Sequence, residues 1–108
     1  MSWIFCTFAN YFMIEKMVYL IAYSINERLY DYSGLKEHIK SLGSFQHPMD
    51  DVWFVSAYRL DEEREVERLR RYLHSEKDMV FITRIPESSM QGWMPNAFWT
   101  WIKSVTND

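Results

Sequence analysis

Three histidines, His38, His47 and His74, are the side chains of this chain best suited to hold a metal ion or move a proton near neutral pH. None has a second histidine or a cysteine at metal-ligand spacing, so solvated or capping roles are expected for all three. Asp50 and Asp51 are adjacent carboxylates that could act as an acid and base pair. They fall between two strand-like runs, where paired aspartates are the ordinary composition of a turn. Ser24 and Ser56 lack the Gly-x-Ser-x-Gly setting of an activated nucleophile, and a chain with three glycines has no Gly-rich phosphate loop. Nucleophilic and nucleotide-hydrolysing enzymes are disfavoured.

Two further clusters could bind rather than react. Arg64, Arg68, Arg70 and Arg71 could form a phosphate-contacting surface, since the guanidinium fork suits bidentate phosphate binding. Acidic residues are interleaved with them, so a self-compensated solvated helix face is the preferred reading. Trp93, Phe98, Trp99 and Trp101 could stack nucleobases or line an interface. On a short helix after a proline, packing onto the sheet or onto a second subunit is preferred.

These residues need elements to position them. Val18–Ser24 is a nearly continuous apolar run, the pattern of a central strand buried on both faces. Leu35, Ile39 and Leu42 share one helical face with Lys36, Glu37 and Lys40 turned away, and Gly43 stops the helix. Ser44–Met49 reads as a strand that Pro48 confines to an edge. Val52–Ala57 is again apolar on both faces and pairs with it as a hairpin through Asp50 and Asp51. Asp61 caps a second helix whose buried stripe is Val66, Leu69 and Leu73. Its expected outer-face pairs are Glu65 with Arg68, and Glu67 with Arg70 and Arg71. Met79–Ile85 is the fourth strand, and Pro95 opens a last helix over Asn96–Lys103. The order is βαββαβ plus a short C-terminal helix. This predicts an α+β, ferredoxin-like split βαβ fold: a four-stranded antiparallel sheet with two helices on one face, its first and third strands central.

At 108 residues one core is expected. Aromatics make up 18% of the chain, more than one core readily covers, and the surplus argues for a groove or subunit interface, with a homodimer the expected assembly. A formal net charge of −3 argues against binding nucleic acid through bulk electrostatics, so RNA or DNA would need a local basic patch. The single cysteine, Cys6, cannot form an internal disulfide and suits a cytoplasmic location. Residues 1–14 are uncharged but shorter than the ~20 residues a membrane helix needs, and they lack the positive start of a signal peptide, so no membrane association is expected. Residues 1–16 read as an upstream extension or a misassigned start, 17–103 as the ferredoxin-like domain and 104–108 as a tail.

The segments Tyr-Leu-Ile-Ala-Tyr-Ser-Ile-Asn (19–26), Asp-Tyr-Ser-Gly-Leu-Lys-Glu-His-Ile-Lys-Ser-Leu-Gly-Ser (31–44), Asp-Val-Trp-Phe-Val (51–55) and Gly-Trp-Met-Pro-Asn-Ala-Phe-Trp-Thr-Trp-Ile (92–102) resemble a family of small bacterial proteins termed SinR-like. That family is similar to the small CRISPR-adaptation subunit and to virulence-associated protein D, homodimeric ferredoxin-like proteins that include nucleases. The resemblance implies a nucleic-acid-associated homodimer. In those nucleases an aspartate ends the first strand and supports divalent-metal chemistry. Here Ser24 holds that position, with Asn26 beside it, and neither supplies a charge to Mg²⁺.

The resulting expectation is a non-catalytic homodimeric module with no catalytic residue, metal or cofactor, in a defence, toxin–antitoxin or mobile-element setting. One alternative is a weak Mg²⁺-dependent endoribonuclease in which Asp31, Asp50 or Asp51 supplies the missing ligand. Another is a protein-interaction subunit using the Trp-rich tail. A basic surface would favour the first, clustered carboxylates near Ser24 the second, and an exposed Trp patch the third.

Overall fold

The computed structural model describes residues 16–86 and 89–106. Strand β1 (Lys16–Ser24) is followed by α1 (Ser33–Ser41), β2 (Ser44–Met49), β3 (Val52–Tyr58), α2 (Glu62–Arg70), β4 (Met79–Ile85) and α3 (Asn96–Thr106). The four strands form one antiparallel sheet in the order β2-β3-β1-β4. This is the split βαβ arrangement, with β1 and β3 central as their doubly apolar runs require. The edge strand β2 carries Pro48, and its register with β3 slips between Gln46 and Met49, where the proline cannot donate to a ladder.

Alternation along β1 divides the chain into two cores. Tyr19, Ile21 and Tyr23 face α1 and α2 and pack with Leu35, Ile39, Trp53, Val55, Ala57, Leu69 and Ile82. Val18 and Phe54 face the other way and meet Phe98 and Ile102 of α3. The helices therefore sandwich the sheet unequally, two on one side and one on the other. Each large side chain removed from water contributes roughly 1.5–3 kcal/mol.

Local chemistry sets the helix ends. Asp61 caps α2, its Oδ1 accepting from Arg64 N at 3.3 Å, and Glu62, Glu63 and Glu65 occupy the first turn, where the helix dipole favours negative charge. Gly43 joins α1 to β2 where the two chains nearly touch: a Cβ at this position would overlap the Ser56 carbonyl oxygen on β3. Glycine is required there by close approach, since its φ is not positive.

Three details depart from the sequence reading. α3 continues to Thr106, taking in residues assigned to a tail, while β1 begins at Lys16; the rest of the expected 1–16 extension, with Cys6, lies outside the described residues. Glu65, expected on the solvent face of α2, is instead buried at 1% exposure between the helices. It sits one turn before Leu69, and its carboxylate is held from both sides. His38 Nε2 of α1 lies 2.6 Å from Oε2, and Arg68 Nη1 donates to Oε1 at 3.1 Å. A buried carboxylate persists only with such partners.

Candidate functional site

Ser24, Asn26, Asp31, His47, Asp50, Asp51 and His74 gather at one end of the sheet because β1 ends, α1 begins, the β2–β3 turn folds back and β4 starts there, whereas Ser56 is buried opposite Val18 and His38 meets Glu65 between the helices. Ser24 is exposed at the end of β1 and opposed by Met79 of β4. On its other side Tyr23 N donates to the Asp51 carbonyl at 3.1 Å, which anchors the turn bearing Asp50 and Asp51. The Tyr23 hydroxyl accepts from Trp53 Nε1 at 2.9 Å, and burial raises its pKa above the ordinary tyrosine value. His47 stacks on Trp53 with ring centres 3.8 Å apart, and its Nε2 donates to the Asp50 carbonyl at 2.9 Å. The turn is thus braced by rings and backbone.

The β1–α1 loop is built around a second knot. Tyr32, nearly fully buried, donates its hydroxyl to Asp78 Oδ2 at 2.6 Å, and the same oxygen accepts from the backbone N–H groups of His74 at 2.9 Å and Ser75 at 3.1 Å. Desolvation opposes the charged form of Asp78, but these three donors outweigh it and hold the carboxyl below its usual range. Tyr32 moves the other way, raised first by desolvation and then by its bond to Asp78. Asn26 N donates to the Tyr32 oxygen at 3.4 Å, and Asn26 O receives the amides of Leu29 and Tyr30. Asn26 therefore shapes the loop through its backbone. Asp31 Oδ1 accepts from Ser33 N at 2.9 Å, which lowers its pKa and ties up the start of α1. His74 stacks on Tyr30 and donates from Nε2 to the Asp31 carbonyl at 2.9 Å.

Beside this knot lies an open depression of about 440 Å³ lined by Glu27–Ser33 and Lys36, in which Lys36 and Glu27 are paired at 2.6 Å. Asp31, Asp50 and Asp51 all stand at this end, but through different loops. Among the described residues no three His, Cys, Asp or Glu side chains group as a metal would require. Asp78, which is joined to Asp31 through His74, was missed by sequence reasoning. The available signal was its place just before β4, opposite the end of β1.

The arginines of α2 do not form a free basic surface. Arg64 pairs with Asp61 at 3.7 Å, Arg68 with Glu65 at 3.1 Å and Arg70 with Glu67 at 3.0 Å. Arg71 is exposed at the end of the helix. The aromatic tail divides. Phe98 is buried edge-on against Phe54 with ring centres 4.8 Å apart, while Trp99 and Trp101 are half-buried. Trp101 Nε1 donates to Ser44 Oγ at 2.8 Å, pinning α3 over β2. Trp93 is wholly exposed.

α3 covers only part of its side of the sheet. Register places Leu20, Ala22, Ser24, Val52, Met49, Met79, Phe81 and Thr83 on this face. Of these Met79 is 62% exposed, Phe81 60% and Met49 46%. The open half is an apolar surface running from β4, the edge strand among the described residues, across β1 to the β2–β3 turn. Comparison with family models, curated proteins and solved structures found no match to this chain. No described helix is long and apolar enough to cross a membrane.

Proposed function

We propose that this chain is a non-catalytic homodimeric module, whose business is to associate rather than to transform a substrate. The observation that carries this reading is the half-covered second face of the sheet, where Met79, Phe81 and Met49 stand in water around Val52 and Ala22. Large apolar side chains grouped on one face of a small domain mark an interaction surface. Trp93, in the segment leading into α3, is wholly exposed as well.

The site chemistry supports association over catalysis. The polar groups at the end of β1 are spent on one another: Asp78 on Tyr32, His74 and Ser75, and Asp31 on Ser33. The α2 arginines are largely neutralised by their own carboxylates, which lowers the return from contacting phosphate. A nucleic-acid-associated role in defence, a toxin–antitoxin pair or mobile-element maintenance would then be exercised through the dimer and its partners.

Light scattering on the purified chain tests the reading. The expected mass is twice the 13.2 kDa of one chain, and a monomer at tens of micromolar would refute it. Incubation with labelled single-stranded RNA and duplex DNA in Mg²⁺ is expected to leave both intact. Metal-dependent cleavage lost on substitution of Asp31, Asp50 or Asp51 would make the protein a nuclease instead.

A further inference from the structure

The two edges of the sheet are not equally protected. Edge strands are ordinarily blunted by proline, bulges, charge or cover, because their unpaired amide and carbonyl groups template further pairing. β2 has two of these devices, Pro48 and a slipped register, and α3 is fastened to its Ser44 by Trp101. β4 is seven residues long, pairs regularly with β1 over its whole length, and has no strand on its other side among the described residues. Its only proline follows its last residue, and Arg84 is its single charge.

We infer that a second copy of this chain pairs with β4 along this edge, β4 against β4, about a two-fold axis at Phe81, giving a continuous eight-stranded sheet. This deepens the proposed self-association and rests on it. A two-fold axis normal to the sheet makes the strands antiparallel and keeps every side chain on its own face, so the axis must pass through a residue. With the axis at Phe81, that residue faces its own copy, Met79 faces the partner's Thr83, and Val80 faces the partner's Ile82. Asp78 then faces the partner's Arg84. Apolar meets apolar, and Arg84 of each copy meets the Asp78 that precedes the other's strand.

Neighbouring registers lack this match. An axis at Ile82 sets Arg84 against the partner's Val80 and Asp78 against the partner's Pro86; one at Val80 sets Asp78 against the partner's Ile82 and Arg84 against the partner's Glu76, which lies in the turn before the strand, so neither register matches both charges within the paired segment. Asp78 keeps one oxygen for this contact: Tyr32, His74 and Ser75 all donate to Oδ2, and among the described residues none donates to Oδ1. The exposed Met79 and Phe81 of the two copies would form one apolar strip across the new seam.

Cross-linking of the full chain tests the register, with Cys6→Ser as background so that no other thiol competes. Phe81→Cys places two thiols opposite each other on the axis and is expected to lock the dimer covalently under mild oxidation. Met79→Cys alone is not expected to lock, because its copies are displaced along the strands. Mixed with Thr83→Cys chains, it should give the covalent heterodimer. Phe81 and Met79 are mostly exposed, so these changes spare the core. Arg84→Glu sets like charges opposite at two places and is expected to weaken the dimer roughly ten-fold. A dimer by light scattering that Phe81→Cys fails to lock, or that Arg84→Glu leaves unaffected, would overturn the edge pairing while leaving self-association standing. A monomeric wild-type chain would overturn both.

Discussion

Replacing His38 by alanine probes the least expected feature of the structure, the carboxylate buried between α1 and α2. Glu65 is 1% exposed and has two charged or polar partners, His38 Nε2 at 2.6 Å and Arg68 Nη1 at 3.1 Å. His38→Ala removes the first and leaves Oε2 without a donor in a site that water scarcely reaches. A hydrogen bond to a charged group contributes about 1.5–3 kcal/mol, and breaking a fully buried pair costs about 3–5 kcal/mol. The Arg68 side chain is half exposed and still holds Oε1, which pulls the expected loss toward about 2–3 kcal/mol. The His38 ring also packs against Tyr72, so the truncation removes contact as well as a donor.

For a domain of this size each kcal/mol corresponds to about 4–8 °C, so the midpoint should fall by roughly 10–20 °C in thermal unfolding followed by circular dichroism. Glu67→Ala is the control. It breaks an exposed pair with Arg70 and should change stability by less than about 0.5 kcal/mol. The double replacement His38→Leu with Glu65→Leu removes both polar partners together and should recover most of the loss, because an apolar pair leaves nothing unsatisfied. A His38→Ala variant no less stable than Glu67→Ala would refute the reasoning.

Three further outcomes follow from the same structure. Gly43→Ala forces a Cβ into the Ser56 carbonyl oxygen and should destabilise by more than about 2 kcal/mol in urea unfolding, since backbone rather than a flexible side chain must move. Ser56→Ala removes a buried hydroxyl that has no hydrogen-bond partner among the described residues; stability should be unchanged or rise by up to about 1 kcal/mol. Asp78 has a folded pKa below its unfolded value. Its contribution is therefore complete above the usual carboxylate range near ~4 and is lost as pH falls through the lower folded value. Unfolding midpoints measured from pH 7 into the acid range should fall more steeply for wild type than for Asp78→Asn.

The placement of α3 explains why a chain so rich in aromatics leaves apolar surface in water. Phe98 and Ile102 fill the space over Val18 and Phe54, and Trp101 fixes the helix toward β2 through Ser44. The helix therefore lies over one side of the face, and the part formed by Met79, Phe81 and Met49 remains open. Shifting α3 toward β4 would cover Phe81 at the expense of the Phe54 and Val18 contacts.

The amino-acid sequence by itself determined the elements and their order. Val18–Ser24 and Val52–Ala57 are apolar at every position but Ser24 and Ser56, the pattern of central strands, and Pro48 announces an edge because it lacks an amide donor. Asp61 marks a helix start through chemistry local to the chain, a signal that survives without knowledge of the fold, whereas glycine at position 43 is demanded by the approach of the Ser56 carbonyl on β3. The site was harder to read because its parts meet across long separations. Asp78 joins Tyr32 over 46 residues, and Glu65 meets His38 over 27. On the sequence, Glu65 with Arg68 looks like any solvent-facing helical pair. Only the packing of α1 on α2 turns it inward. Likewise alternation makes Met79 and Phe81 strand residues, but whether their face is covered depends on where α3 comes to rest. That was decided by the fit of Phe98, Ile102 and Trp101 to the sheet, a tertiary competition for buried area that no local pattern encodes.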